Sequence, residues 1–226
     1  MNDKDTRTKI CEASRKEFME YGYKKASLRR ICAQAGVTTG ALYFFFRDKD
    51  ALFCSLVEDK LEQICEVMMS HFNSEIRFMC GKNKLCIKVT YTVEEALRKI
   101  FNIIYEDRES ILLLLTKAQE SSLENALDDV TRISEMHMEF IGNYLQQHRK
   151  DRKVSQHLYH WMAHTSVNVV VYAVTHFEKK EDACEFAFSV IPVLNGGWLT
   201  MWGFYQEVDD VRELHQMLKE ETKIEE

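Results

Sequence analysis

Along most of the chain, apolar positions recur at intervals of three and four residues, the period of helices buried on one face. Ile10, Ala13, Ser14, Glu17/Phe18 and Tyr21 mark a first helix from about Asp5 to Tyr21, stopped at Gly22. Ser27 supplies the N-cap of a second helix that buries Leu28, Ile31, Cys32 and Ala35. Gly36 gives that helix a positive-φ stop, and Val37 then turns inward. Thr38 or Thr39 opens a third, very short helix that ends at Phe46. A fourth begins near Asp48–Lys49 and carries Leu52, Phe53, Leu56, Val57, Leu61 and Ile64 on one side as far as about His71. Asn73–Val89 reads as irregular, with its loop at Gly81–Lys84. Helical spacing returns over Val93–Tyr105, Glu109–Gln119, Leu123–Gln147, Val154–Phe177 and Asp182–Gln206, with a polar helix at Asp210–Glu220.

A single proline and eight glycines in 226 residues supply too few turns for a sandwich or barrel, which leaves an all-α fold. No segment approaches the roughly 18 apolar residues of a membrane span, and the polar Met1–Lys9 precedes no signal-peptide core. The expectation is a cytoplasmic protein without a membrane partner. Seven cysteines, mostly inside helical patterns, read as reduced thiols; Cys80 and Cys86, bracketing a loop, are the one candidate redox pair. The net charge of −6 is unevenly divided. Residues 1–52 hold 11 Lys/Arg against 7 Asp/Glu, or +4, and residues 53–226 hold 19 against 29, or −10. A basic head on an acidic body suits a polyanionic partner for the head alone.

The second and third helices, joined through Ala35-Gly36-Val37, have the layout of a helix-turn-helix, in which the second helix meets the major groove. Thr38 and Thr39 offer hydroxyls to a phosphate or base edge, and Gly40 lets the backbones approach. Tyr43 can reach a phosphate and Phe44 a thymine methyl, while Leu42, Phe45 and Phe46 turn inward. Ser27, Arg29, Arg30, Arg47 and Lys49 surround this surface. Residues 6–52 resemble the DNA-binding head of the tetracycline-repressor (TetR) family of bacterial transcription regulators. The likeness rests on Phe18, Gly22, Tyr23, Ser27, Leu28, Ile31, Ala35, Gly36, Val37, Gly40, Leu42, Tyr43, Phe46, Lys49 and Leu52 in order and spacing. The resemblance implies DNA contacts for Arg29, Thr39, Gly40, Tyr43, Phe44 and Lys49, the last on a phosphate. Two departures are Cys32, where alanine is common, and Phe45, where histidine is frequent. The resemblance further implies an all-α C-terminal part that dimerises and holds a small molecule, with domains at 1–52 and 53–226.

In Val154–Phe177 and Phe186–Phe204 apolar residues cover most of the helix circumference, the pattern of helices buried on two sides. They are expected to form the homodimer interface through Val167, Val171, Val174, Phe188, Trp198 and Trp202. A lipophilic effector pocket is expected from Met68, Phe101, Tyr105, Leu114, Met136 and Phe140. No nucleophile elbow, phosphate loop or H-E-x-x-H occurs, so no enzyme and no cofactor is expected. His157, His160 and His164 share a helix face with metal-ligand spacing, yet no nearby Cys or carboxylate completes a set. The reading is a ligand-responsive repressor that binds a near-palindromic double-stranded operator as a dimer. Its rivals are a dimeric helical ligand-binding or scaffold protein without operator binding, and a metal-dependent helical enzyme.

Overall fold

The computed structural model describes residues 3–81, 89–148 and 153–201. All regular structure among them is helical: α1 (Asp3–Lys25), α2 (Leu28–Ala35), α3 (Thr39–Phe45), α4 (Lys49–Gly81), α5 (Val89–Glu106), α6 (Arg108–Lys117), α7 (Ala126–His148), α8 (Gln156–His176) and α9 (Lys180–Met201). Cys86, Trp202 and the terminal helix expected at Asp210–Glu220 lie outside the described residues.

The predicted punctuation of the head is present. α1 buries Ile10, Ala13, Ser14, Glu17 and Phe18, and kinks at Gly22 (φ 71°) before its last residues. The Ser27 hydroxyl accepts the Arg30 N–H at the start of α2, and Gly36 at its end takes a left-handed conformation (φ 65°, ψ 33°). Only that backbone geometry demands glycine there, because a side chain at Gly36 would meet nothing within 4 Å. Val37 N–H returns to Cys32 O (3.0 Å), closing the turn. Thr38 caps α3 through Ala41 N–H (3.1 Å), and Asp48 caps α4 through Ala51 N–H (2.8 Å).

The head shares its core with the rest of the chain. Phe18, Ile31, Leu42, Leu52 and Phe53 are buried together with Leu56, Val57 and, from α6, Leu113. Phe18 and Tyr23 both meet the Phe53 ring edge-on. A division at residue 52 therefore falls inside the continuous helix α4. Polar ties reinforce the junction. Arg15 grips Asp107 with two bonds (2.9 and 2.7 Å), and the Ser110 hydroxyl donates to Leu56 O (2.6 Å). Ser122 N–H donates to Asp50 (3.0 Å), and Lys24 pairs with Glu120.

α4 corrects the sequence reading, for it continues to Gly81 rather than ending near His71. The buried Glu75 stands where the helical period called for an apolar residue, so the hydropathy signal stops before the helix does. Beyond the junction a second core joins α4, α5 and α6 to α8 and α9 through Ile64, Phe101, Ile104, Ile111, Ala173, Val174 and Ala187. A third gathers Leu145 and Tyr159 with Trp198. Helices α7 and α8 approach closely at Gly142, where a Cβ would lie 2.2 Å from the Tyr159 hydroxyl.

Candidate nucleic-acid interface and effector cavity

α3 has two faces. Leu42 and Phe46 are buried, whereas Thr38, Thr39, Gly40, Tyr43 and Phe44 are exposed, Phe44 at 74 %. An aromatic ring that far out of the core gains little by folding. Phe45 sits between the two faces, edge-on to Phe44 at 5.0 Å. Gly40 likewise has no internal reason. It lies in the first turn of α3, and a Cβ there would make only ordinary contact with the Thr38 hydroxyl at 3.8 Å. Gly40→Ala should therefore stabilise the head by a few tenths to about 1 kcal/mol, as alanine does for helices. The same change should weaken DNA binding, because the added methyl occupies the space of an approaching backbone. Thermal melts and gel shifts on one preparation read both signs; a variant that gains stability and keeps its affinity removes the assigned role.

The surrounding cations separate into free and engaged. Arg29 is exposed and makes no hydrogen bond or ion pair among the described residues. Arg30 is held by Glu17, whose Oε1 takes Arg30 Nε (2.8 Å), Arg30 Nη2 (2.6 Å) and Ser27 N–H (2.7 Å). Arg30 also donates to Lys25 O (3.0 Å) and covers the Tyr21 ring. Lys49 is engaged as well: it donates to Tyr23 O (2.8 Å) and Lys24 O (3.3 Å) and stands over the Tyr23 ring at 4.5 Å. These two read from the sequence as DNA cations, and in the structure they anchor the ends of α1, α2 and α4. Arg47 is exposed and pairs with its neighbour Asp48. Glu17, entirely buried, was missed as an organiser because a carboxylate on an apolar face looks like an interruption of the pattern.

Inside the second part of the chain lies a cavity of about 440 Å³ walled by α4 to α9, within the range of small-molecule sites. Of the residues expected to line it, Met68 and Leu114 do. The other four do not. Phe101 is packed solidly in the core, and Tyr105 donates its hydroxyl to Phe177 O (2.7 Å). Met136 and Phe140 face outward from α7. The wall is completed instead by Val167, Val171, Val174 and Trp198, which the sequence assigned to the dimer interface. Val174 is fully buried in its own chain, Trp198 packs edge-on against Tyr159, and Phe188 lies under the Arg98 guanidinium at 4.3 Å. A helix apolar all round is buried twice, and its sequence does not say which side meets which neighbour. The outward faces of α8 and α9 carry Trp161, Asn168 and Tyr172, and Ser189, Val193, Gly197 and Thr200.

The cavity also holds polar groups that the sequence reading did not single out. Glu75 Oε2 lies 3.0 Å from His137 Nε2, and Oε1 lies 3.6 Å from His71 Nε2; all three side chains are nearly buried. Phe72 stacks on the His137 ring at 3.8 Å. Burial pushes the His71 imidazole below its ordinary value, against the pull of Glu75. Asn195 Nδ2 is buried with no acceptor among the described residues. The only legible signal was His71 and Glu75 at i, i+4, lost once α4 was ended at His71. The His157/His160/His164 face gathers no set of three metal-ligating groups among the described residues; His160 instead pairs with Glu135 at 2.9 Å. No helix there is long and apolar enough to cross a membrane.

Residues 10–56 match the family model for bacterial regulatory proteins of the tetR family. An HTH-type transcriptional repressor of Mycobacterium tuberculosis, Rv1474c, is 43 % identical over 61 residues, covering 27 % of this chain and 33 % of the relative. The fatty acid metabolism regulator protein of Bacillus subtilis is 25 % identical over 115 residues, 51 % of this chain and 54 % of the relative. The chain thus spans a third to about half of the length of these relatives. The solved structure of the transcriptional regulator FadR of Bacillus subtilis, in complex with stearoyl-CoA, shares the fold. Its TM-score is 0.51 at 17 % identity, over 83 % of this chain and 96 % of that one.

Proposed function

For a chain whose residues 10–56 match the family model for bacterial regulatory proteins of the tetR family, we propose the function of a repressor that grips a near-palindromic operator as a homodimer and lets go when a small lipophilic molecule fills the α4–α9 cavity. The observation that carries the DNA half is the outward face of α3, where Thr39, Gly40, Tyr43 and Phe44 stand exposed with no internal task beside the unpaired Arg29. On this reading Arg30 and Lys49 are positioning residues that fix the angle of α2 and the start of α4. Ser27 and Thr38 act first as caps. No catalytic step and no cofactor enter the scheme.

The effector half is supported by the cavity's apolar wall and by the stearoyl-CoA held by FadR, a protein of the same fold. α4 runs from the head core into the cavity wall, and Arg15–Asp107 ties α1 to α6, so a shift of the wall moves both heads relative to each other. Half-sites of such dimers lie about 34–36 Å apart, and a small change in head spacing disfavours docking on both. Pairing of two copies falls to the outward faces of α8 and α9. Val193→Glu, at a position 71 % exposed, should leave the fold intact and convert a dimer of twice the 26.6 kDa chain mass into monomer. Sedimentation of the parent protein as a monomer at micromolar concentration would refute the dimer. A true effector must bind the operator complex more weakly than the free dimer, by the factor by which it weakens operator affinity. A cavity ligand with equal affinity for both forms is not the effector.

A further inference from the structure

The uncharged polar groups of the cavity wall point to the chemistry of its ligand. We propose that the chamber takes a neutral lipophile carrying a carbonyl oxygen, and that Asn195 is the donor to that oxygen. The inference rests on the reading of this cavity as the effector site. Ser134 from α7, Ser166 from α8 and Asn195 from α9 all line it. The two serine hydroxyls make no hydrogen bond among the described residues. On the same helices Thr131, Thr165 and Thr175 each return their hydroxyl to the carbonyl four residues earlier (2.9, 2.8 and 2.8 Å). A hydroxyl inside a helix ordinarily takes that bond or turns to water. Ser134, 5 % exposed, does not take the bond and has almost no surface on which to meet bulk water. Asn195 Nδ2 is buried with no acceptor among the described residues. Of these unmet groups the N–H is the costliest, because folded proteins leave a buried donor orphaned more rarely than an oxygen. The amide turns about a soft last torsion, so its donor can be offered to the chamber that Asn195 lines. A ligand carbonyl supplies the acceptor, and the serine hydroxyls donate or accept as further polar atoms of the ligand require. A hydrocarbon of the same shape leaves all three groups unmet. A carboxylate must shed its hydration among wall residues that include no lysine or arginine among those described.

Two probes of nearly one shape isolate the carbonyl, 1-phenylbutan-1-one and butylbenzene, and 4-phenylbutanoate adds a charge to the same body. Their affinities are read from thermal stabilisation of the full chain over a concentration series. In a chamber without a donor the hydrocarbon should bind roughly tenfold tighter, because the ketone oxygen loses its water and gains nothing. The expected result is a ketone at least as tight as the hydrocarbon, with the carboxylate roughly tenfold or more weaker than the ketone. Asn195→Leu, a change of almost equal shape, should weaken the ketone roughly tenfold, the scale of one hydrogen bond. It should leave butylbenzene within about twofold and the melting temperature unchanged or higher, since it removes an unmet donor. The wild-type order stands as a test even if that variant folds poorly. Butylbenzene tighter than the ketone, the carboxylate as tight as the ketone, or an order untouched by Asn195→Leu overturns the carbonyl assignment while leaving a lipophilic effector site. Failure of all three probes to bind overturns the effector-cavity reading beneath it as well.

Discussion

Phe44→Asp is expected to abolish sequence-preferred DNA binding, by a hundredfold or more, with the melting temperature unchanged. The two halves of that expectation have separate causes. Phe44 is 74 % exposed on α3, and its nearest aromatic neighbour is Phe45, edge-on. Removing the ring therefore takes almost nothing from the core, and surface changes of this kind usually stay within about 0.5 kcal/mol. On DNA the ring would lie against a base, where one lost contact is worth about 1–3 kcal/mol. The new carboxylate adds repulsion from the phosphates, which supply most of the affinity. Phe44→Ala should show the contact alone, as a change of preference at one base pair. A Phe44→Asp protein that melts several degrees lower would mean the ring is structural, and one that keeps its affinity would remove α3 from the interface.

Glu17→Ala is expected to destabilise the head strongly, costing about 3 kcal/mol, because it leaves the part-buried Ser27 N–H without its carboxylate acceptor and releases Arg30. Arg30 is half-exposed and can return to water, which keeps the loss below that of a fully buried pair. Glu17→Gln retains one acceptor oxygen and should lose less than half as much. The comparison is made by urea unfolding followed by far-ultraviolet circular dichroism. The result also bears on DNA binding, since Glu17 sets where Ser27 begins α2 and so the angle at which α3 is offered. Equal stability of wild type and Glu17→Ala would show that Arg30 and Ser27 position nothing.

What could be read from the sequence followed the physics of each feature. Caps and stops are local: Ser27, Gly36 and Thr38 announce themselves by chemistry that acts within three residues, and each stands where expected. Leu42 and Phe46 turn inward as read, since so short a helix leaves few faces, whereas Phe45, also expected inside, lies half-buried between them. The partners of a helix are not local. Val167, Val171 and Val174 were visibly buried by something, and only the packing of α8 against α6, α7 and α9 reveals that the something is a cavity within the same chain. Buried charge was the least legible. Glu17 falls on the apolar face of its helix and Glu75 beyond the end read for α4, and neither spacing shows that each gathers partners from other elements. Arg30 and Lys49 show the converse: a cation near a recognition helix looks available until Glu17 and the Tyr23 carbonyl are seen to hold it.

Whether α3 reads a double-stranded sequence is tested most directly by recovery of bound DNA from a random duplex pool at moderate salt. One near-palindrome should be enriched, with half-sites about one helical turn, roughly 34–36 Å, apart. Its affinity should fall steeply with salt as phosphate contacts are screened. Recovery of a pool no different in sequence from the starting one, by a folded protein that still binds its lipophilic ligand, would contradict it and leave a helical ligand-binding protein without an operator.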